Sequence, residues 1–501
     1  MLSSVLIANR GEIAIRIIRA CRFLNIKTIA IFSKIDASSL HVKMADEAYC
    51  LGDGTVQETY LNIDKIIEIA VKSQSDAVHP GYGFLSENAI FAEELEKNGI
   101  IFIGPSPIVL YQLGNKLEAK KIAKKAGIQT VPGSFGCVTT LSEAEKISSK
   151  IGYPIIIKAA YGGGGRGMEI VNNSDTLEIS FMGCQTIANK FFGSKDVFIE
   201  KYIQAPRHIE IQFLADNYQN TIHIGDRECS IQRNYQKIIE EAPSFISTRR
   251  RNSIGNKICD LAKKIGYRNI GTAEFLWKDN KLYFNEINPR IQVEHPVTEM
   301  ITGIDLVVQQ LKVANNEELS LTQKDIRFSG HAFEFRINAE DPLKAFYPQT
   351  GKITNVSIPG GNEVRFDTFI YPNYNLPNQY DSLIGKLIVK GENRVDAIQK
   401  TRLALNELAI SGLATNISLH KAIIETKEFQ QRKITTDFLE RNKINQILNH
   451  YEKLKIIAIL KTYSFHKEKQ EYSHTNIQKM KEDYNRWREQ GKLEQQNNFL
   501  Q

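Results

Sequence analysis

A chain of 501 residues exceeds the roughly 250–300 at which a single hydrophobic core stops growing, so two to four domains are expected. Its composition, 42% hydrophobic and 24% charged, is that of a folded soluble protein and excludes a disordered or fibrous one. The net charge of +7, from 64 basic and 57 acidic residues, is too small to give the dense basic stripe of a nucleic-acid binder, and suits an anionic substrate such as a nucleotide.

The N-terminus runs straight into a strand pattern, so no signal peptide is expected, and no apolar run approaches the ~20 residues of a membrane span. The six cysteines form no Cys-x-x-Cys pair and several sit in apolar runs, which predicts buried free thiols in a reducing compartment and no zinc site. Residues 5–8 predict a short buried strand, 11–23 a helix with Ile13, Ile17, Ala20 and Leu24 at helical spacing, and 27–32 the next strand. A helix over 64–72 and strands at 77–78 and 100–103 continue the order, which implies a parallel, doubly wound sheet. The loop after the first strand is Asn9-Arg10-Gly11-Glu12 rather than Gly-x-Gly-x-x-Gly, so no dinucleotide site is expected there. A helix over 116–126 leads to a smaller unit with strands at 154–158 and 197–200. Strands follow at 208–215, 221–225, 273–277 and 281–287, with a helix over 253–265 among them. From about Phe328 the pattern is β-rich to near Lys390, then helical over 394–408 and 417–426. The tail beyond Asn449 predicts one or two amphipathic helices and a frayed end.

Glu286-Ile-Asn-Pro-Arg-Ile-Gln-Val-Glu-His295 gathers the most chemistry. On an extended strand Glu286, Asn288, Arg290, Gln292 and Glu294 would share one face. A face turned to a core would be apolar; this one orders hard oxygen ligands beside an anion-binding arginine, as joint binding of a metal ion and an anion requires. Asp279-Asn280 signals a turn between Glu274 and Glu286. A three-residue loop over 279–281 would set the two carboxylates opposite each other, whereas a two-residue turn would not. Side by side they repel unless a cation lies between them, and with Asn288 they suit Mg²⁺ bridging nucleotide phosphates.

Lys158-Ala-Ala-Tyr-Gly-Gly-Gly-Gly-Arg-Gly-Met168 places four glycines after a strand, a loop whose N–H groups can close over phosphates without being a Walker A loop. Residues 226–237, with Glu240 and Glu241 beyond, are dense in donors for phosphate, ribose and base, and equally suit a salt-bridged surface strand. His79-Pro-Gly-Tyr82 shapes a tight loop that presents a ring, or a plain turn with a packed tyrosine. Arg336, taken alone, reads as one arm of a surface salt bridge. Glu294, with Arg290 near it to hold it ionised, suits a general base; His295, on the other face, reads as a packed histidine rather than a catalytic one.

Together and in this order, the motifs at 79–88, 158–168, 286–299, 330–342 and 380–386 resemble biotin carboxylase, the ATP-grasp component of biotin-dependent carboxylases, and the likeness runs from Val5 to about Asn449. The resemblance implies an α/β and α+β multidomain fold: a Rossmann-like N-terminal domain over 1–113, an ATP-grasp domain over 114–327 with a mobile glycine-rich lid at about 131–203, a β-rich C-terminal domain over 328–446, and a helical, partly flexible tail over 447–501. It implies that ATP phosphorylates bicarbonate to carboxyphosphate, whose carboxyl group passes to N1 of biotin on a carrier. By motif match Lys116, Lys158, Gly163, Gly164, Gly165, Met168, Glu200, Lys201, Ile203, His208, Gln232, Tyr235 and Leu276 would bind ATP. Glu274, Glu286 and Asn288 would hold Mg²⁺ or Mn²⁺. Lys237, Arg290, Gln292 and Val293 would bind bicarbonate, Glu294 would deprotonate it, and Arg336 would stabilise the enolate-like biotin oxygen with Tyr82 beside the ring. Lys237, Arg290, Glu294 and Arg336 form the implied catalytic set.

Asn115, Tyr161, Tyr235 and Phe335 depart from the commonest pattern of the family, which has Asp, a small residue, His and Cys there; Tyr161 and Tyr235 bear on lid closure and ribose contacts. Another ATP-grasp carboxylate or bicarbonate ligase would share the lid and metal carboxylates but would not be expected to carry the motifs at 79–88 and 330–342. No Ala-Met-Lys-Met is present, and Gln478-Lys-Met-Lys481 lies in a charged tail, so biotin is expected to arrive on a separate carrier protein or domain, with a separate carboxyltransferase subunit. Acetyl-CoA and pyruvate are both open as final acceptors. The resemblance implies a homodimer; no nucleic-acid or membrane partner is expected, and the expected location is cytoplasmic.

Overall fold

The structure, a computed structural model, describes residues 1–160, 167–444 and 446–449, together with 453, 457, 460–462, 464, 478–486 and 488–489. Gly163, Gly164 and Gly165, expected at the nucleotide phosphates, therefore lie outside the described residues, as does most of the expected tail.

The first segment is a five-stranded parallel sheet in the order β3-β2-β1-β4-β5, formed by β1 (Ser4–Ile7), β2 (Lys27–Phe32), β3 (Glu47–Cys50), β4 (Ala77–His79) and β5 (Ile101–Phe102). Its helices are α1 (Gly11–Phe23), α2 (Leu40–Met44), α3 (Ile63–Lys72) and α4 (Ala89–Lys97). Val5, Leu6 and Ile7 are fully buried, because a parallel sheet is covered on both faces. On one side Ile13 and Ile17 of α1 share a core with Leu214, Ile222 and Leu306; on the other, Leu6, Ile29, Ile66 and Phe91 pack together. Each such side chain contributes about 1.5–3 kcal/mol of burial.

After α5 (Pro107–Gly114), α6 (Lys116–Lys125) and α7 (Leu141–Ile151), a small antiparallel sheet β7-β6-β8 forms from β6 (Ile155–Ala159), β7 (Met168–Val171) and β8 (Val197–Lys201), with α8 (Leu177–Phe192) on it. It has its own core of Ile155, Ile157, Phe181, Val197 and Ile199.

The remainder is built on an eight-stranded antiparallel sheet. In chain order the elements are β9 (Arg207–Ala215), β10 (Thr221–Arg233), β11 (Gln236–Ala242), α9 (Thr248–Lys264), β12 (Asn269–Lys278), β13 (Lys281–Asn288), α10 (His295–Thr302), α11 (Leu306–Ala314) and β14 (His331–Asn338). Four short strands follow, β15 (Glu340–Asp341), β16 (Tyr347–Pro348), β17 (Gly351–Lys352) and β18 (Asn355–Ser357), then β19 (Val364–Thr368), β20 (Asn375–Leu376) and β21 (Leu383–Gly391). The last elements are α12 (Arg394–Glu407), β22 (Ala409–Ser411), α13 (Ile417–Ile424), α14 (Lys427–Gln430) and α15 (Phe438–Arg441). The sheet order β13-β12-β9-β10-β11-β14-β21-β19 carries one continuous surface across the boundary expected at 327/328, because β11 pairs directly with β14.

β10 runs eight residues past the predicted stop at Gly225. The charged run Asp226-Arg227-Glu228 does not end the strand, because its side chains find partners inside: Arg227 on Glu210, Arg207 on Glu228, Arg251 on Asp226. Likewise α9 starts at Thr248 rather than Ser253, where Ser247 caps it by accepting from the Arg250 N–H. Cys21, Cys184, Cys229 and Cys259 are buried free thiols as expected, whereas Cys50 and Cys137 are exposed.

Met1–Lys443 forms one compact unit and Ile444–Gln501 a second, in which 446–449 and 478–486 are helical. Among the described residues no helix is long and apolar enough to cross a membrane.

Candidate active site

The hairpin that carries Glu274 and Glu286 reaches its pairing by an unexpected route. β12 and β13 are joined by a two-residue turn, Asp279-Asn280, with φ of 48° and 60°, and Lys278 pairs with Lys281. The expected three-residue loop does not form, and the shorter turn alone would put Glu286 on the wrong face. A bulge corrects the phase: Phe275 pairs with Phe284, Glu274 with Glu286, and Asn285 is the extra residue.

The single extended face expected over 286–294 does not form either. β13 ends at Asn288, where Pro289 has no N–H to continue a ladder. Arg290, Gln292 and Glu294 occupy the loop into α10, yet the loop folds back on the same place. Asn288 Nδ2 and Gln292 Nε2 both donate to Glu274 Oε1, at 2.8 and 2.9 Å, and Arg290 donates to Asn288 Oδ1 at 3.1 Å. Lys386 Nζ donates to the Val293 carbonyl at 2.9 Å and pins the loop from β21.

Lys237 on β11 is the central cation. Its Nζ lies 2.8 Å from Glu274 Oε1 and 2.8 Å from Glu294 Oε1, and it also contacts Glu210. Beneath it Arg227, with no exposed surface, donates to Glu210 (3.1 Å), Gln212 (2.7 Å), Thr298 (3.1 Å), Thr272 (3.2 Å) and Gln292 (2.5 Å). Glu294 is 1% exposed, and its other oxygen accepts from Arg336 at 2.9 Å. Burial alone would raise its pKa; Lys237, then Arg336 and Arg227, outweigh that and hold it well below the usual carboxylate range. The expected neighbour Arg290 is not the partner that ionises Glu294: it pairs with Glu87 at 2.6 Å.

Asn115 caps α6 by accepting from the Leu117 and Glu118 N–H groups, which fixes Lys116 at the start of the helix with its Nζ 3.2 Å from Glu286. Lys158 Nζ is 2.7 Å from one oxygen of Glu200, and Lys120 contacts the other. His208 lies 3.1 Å from Glu274 and 3.0 Å from Gln232. The Lys201 ammonium turns away, donating to the carbonyls of Gly152 and Tyr153 at 3.0 and 2.7 Å. Tyr235 sits at the β10–β11 turn with φ 65° and is exposed.

A cavity of about 400 Å³ is lined by Lys116, Lys158, Met168, Glu200, Lys201, Ile203, His208, Gln232, Tyr235, Leu276, Glu274, Glu286, Asn288, Arg290, Gln292 and Glu294. A second, of about 430 Å³, is lined by Tyr82, Glu12, Arg10, Phe84 and Tyr380. Lys237, Val293 and Arg336 line both. Arg336 is thus not a surface salt bridge but a wall between two cavities. The expected site residues among the described ones come together here, Tyr82 on the second cavity and the others on the first.

The Tyr82 hydroxyl donates to Glu12, and Asn9 Nδ2 donates to the carbonyls of Pro80 and Tyr82 at 2.7 and 2.8 Å. Gly81 has φ 62°, and a Cβ there would fall 2.9 Å from Asn9 Nδ2, so the loop depends on glycine. His295 is fully buried, with Nδ1 2.7 Å from the Gln292 carbonyl, a packed residue as expected.

The fit of the acidic set to a divalent cation can be judged from the donors. The closest-set candidates, His208–Glu210–Glu274 and Glu210–Cys229–Glu294, are each bridged by Lys237, so a cation already serves them. Glu274, Glu286 and Asn288 line the first cavity with hard oxygen-bearing side chains of the kind that fits Mg²⁺ or Mn²⁺; in this structure Lys237, Lys116 and Arg290 contact those oxygens in turn, at 2.8, 3.2 and 3.1 Å.

Glu210, Glu12 and Lys386 are contributors that sequence reasoning did not single out. A signal for Glu210 exists: His208, Glu210 and Gln212 alternate with fully buried Ile209, Ile211 and Phe213, a polar face on a strand with no exposed side. Glu12 and Lys386 meet at 3.1 Å across 374 positions; Lys386 ends the motif at 380–386, but nothing local in the sequence shows that the two pair.

The biotin carboxylase N-terminal domain family matches residues 1–110, the carbamoyl-phosphate synthase L chain ATP-binding domain family 115–322, and the biotin carboxylase C-terminal domain family 334–441. A pyruvate carboxylase subunit of Methanothermobacter thermautotrophicus is 50% identical over 441 residues, 88% of this chain and 90% of that protein. The biotin carboxylase of Nostoc is 50% identical over 442 residues, 88% of this chain and 99% of that protein. The biotin carboxylase domain dimer of Hydrogenobacter thermophilus 2-oxoglutarate carboxylase, in complex with MgADP, ADP and bicarbonate, has a TM-score of 0.87 at 46% identity, over 89% of this chain and 99% of that one. A biotin carboxylase–β,γ-ATP complex from Campylobacter jejuni has a TM-score of 0.86 at 44% identity, over 88% and 99%. The ATP-binding match alone would admit other ATP-grasp ligases, but it is flanked on both sides by domains of one kind, and the chain belongs to the biotin carboxylase family.

Proposed function

We propose that this chain carboxylates biotin carried on a separate protein, with ATP and bicarbonate, through carboxyphosphate. The observation that carries this reading is Glu294, held ionised between Lys237 and Arg336 where the two cavities meet. Lys116, Lys158, Met168, Glu200, Lys201, Ile203, His208, Gln232, Tyr235 and Leu276 bind the nucleotide in the first cavity. Glu274, Glu286 and Asn288 would hold Mg²⁺ or Mn²⁺, which neutralises phosphate charge when bound. Lys237, Arg290, Gln292 and Val293 hold bicarbonate. Glu294 accepts its proton, and the freed oxygen attacks the γ-phosphorus as ADP leaves, giving carboxyphosphate. Bicarbonate is a weak nucleophile, so a carboxylate within hydrogen-bond reach is required. Carboxyphosphate is short-lived in water, which explains enclosing it between Lys237 and Arg336. Arg336 then faces biotin in the second cavity beside Tyr82, where its charge meets the ureido oxygen as that becomes negative.

The carrier and carboxyltransferase are separate chains on this reading, the location is cytoplasmic, and the dimer named for the Hydrogenobacter structure supports a homodimer. Equal identity, 50%, to the Methanothermobacter pyruvate carboxylase subunit and to the Nostoc biotin carboxylase supports leaving the choice of acceptor, acetyl-CoA or pyruvate, to the carboxyltransferase.

The direct test is ATP hydrolysis by the purified chain. Hydrolysis is expected to require bicarbonate, to rise with free biotin, and to yield carboxybiotin; no biotin stimulation and no carboxybiotin would reject the assignment. A second test addresses the metal. Glu286→Gln is expected to raise the Mg²⁺ concentration for half-maximal hydrolysis by at least about tenfold, and an unchanged Mg²⁺ titration would exclude Glu286 as a ligand.

A further inference from the structure

Glu240 on β11 and Glu334 on β14 are direct cross-strand partners, and both are fully buried. Such partners have Cβ atoms about 4.5–5.5 Å apart. Arg336 follows Glu334 by two and shares its face of β14; its Nε donates to Glu240 Oε1 at 2.6 Å. The second oxygen of Glu240 and both oxygens of Glu334 have no hydrogen-bond partner among the described residues.

Charge balance around the pair decides its protonation. Lys386, on the neighbouring β21, is engaged by Glu12 at 3.1 Å and the Val293 carbonyl at 2.9 Å. Arg336 is divided between Glu240 and Glu294, and Lys237 is held by Glu210, Glu274 and Glu294. Glu334 is the carboxylate left over. Two buried carboxylates at this separation do not both ionise. Burial pushes Glu334 well above the usual carboxylate range despite Lys386, and raises Glu240 to about 7 against the pull of Arg336. The hydrogen bond to Arg336 identifies Glu240 as the charged member.

We propose that Glu240 and Glu334 share one proton as a buried dyad, with Glu240 the counter-ion and Glu334 the neutral acid, and that the dyad positions the Arg336 guanidinium at the wall of the second cavity. Both are positioning residues, acting through Arg336. With both ionised, Arg336 would be drawn into the sheet; with both neutral, Glu294 alone would hold it. The inference rests on the reading of Arg336 as the residue that meets biotin.

The experiment has two arms on the full chain. Infrared spectra at neutral pH are expected to show the carbonyl band of a buried protonated carboxylic acid in the wild type, and Glu334→Gln removes it. Glu240→Gln removes it too, because Glu334, freed of its charged neighbour, ionises and takes over the guanidinium. In steady state, Glu240→Gln is expected to raise the KM for free biotin at least about tenfold, the scale of one hydrogen bond to a charged group, because the guanidinium shifts from Glu240 toward Glu334 and away from its place at the cavity wall. The KM for ATP stays within about twofold, since Arg336 acts on the other substrate. The double variant has a higher biotin KM than Glu240→Gln alone. No protonated-acid band in the wild type overturns the dyad. So does an unmoved biotin KM in Glu240→Gln when Arg336→Met raises it, whereas an unmoved KM in Arg336→Met overturns the reading of Arg336 itself. If Glu240→Gln does not fold, the band in the wild type against its absence in Glu334→Gln decides the question.

Discussion

Glu294→Gln is expected to lower the rate of carboxybiotin formation by about 10²–10⁴-fold, the usual contribution of a positioned general base. The amide keeps the shape of the side chain and one oxygen that can accept from either Lys237 or Arg336, and the residues proposed to hold the nucleotide are untouched, so nucleotide binding is expected to survive. What is lost is the acceptor for the bicarbonate proton. Because Lys237 and Arg336 hold Glu294 well below the usual carboxylate range, it is ionised throughout the neutral region, and the fold loss is expected to be the same across that region. Its stabilising effect has the matching sign: a depressed pKa contributes stability that is fully present above the unfolded value of about 4.3 and is lost as the pH falls through the folded value. Rates of carboxybiotin formation with free biotin, with ATP binding measured separately, check this. Near-normal turnover would remove Glu294 as the base.

Arg227→Met is expected to destabilise the protein by about 3–5 kcal/mol, the cost of removing one member of a buried charge network. Its guanidinium has no exposed surface and satisfies Glu210, Gln212, Thr272, Gln292 and Thr298 together. Methionine fills the volume but removes the donors that these oxygens share, leaving Glu210 with Lys237 and His208. Gln292 would lose the contact that orients its amide toward Glu274. The unfolding midpoint in denaturant measures the effect; a loss under about 1 kcal/mol would show that the network relaxes or admits water.

The sheet segments that were legible are those where periodicity and burial agree. The helix predicted over 11–23 and the strand over 27–32 match α1 and β2 residue for residue, because α1 repeats its apolar residues at helical spacing and β2 is a run too short for a helix, rich in β-branched and aromatic residues. The strand predicted over 221–225 is only the first part of β10; residues 226–233, which equally suit donors for a nucleotide or a salt-bridged surface strand, continue it inside the protein, where partners on β9 and α9 explain the burial of Asp226, Arg227 and Glu228.

At the site, residue types were readable and register was not. Glu274 and Glu286 face each other as expected, but through a two-residue turn plus a bulge at Asn285, and a bulge leaves no local mark in sequence. Glu294 stands out in the sequence as a carboxylate among polar residues, whereas its partners, Lys237 and Arg336, come from strands 57 and 42 positions away.

The amino-acid sequence by itself determined the family motifs, the parallel sheet of the first segment, and which acids and cations are available, because these follow from local pattern and residue chemistry. Only the tertiary structure decided which of those charges neutralise one another. Coulombic pairing between strands depends on sheet order and register, and in a buried site that pairing sets whether a carboxyl is held ionised, like Glu294, or, as proposed for Glu334, kept neutral.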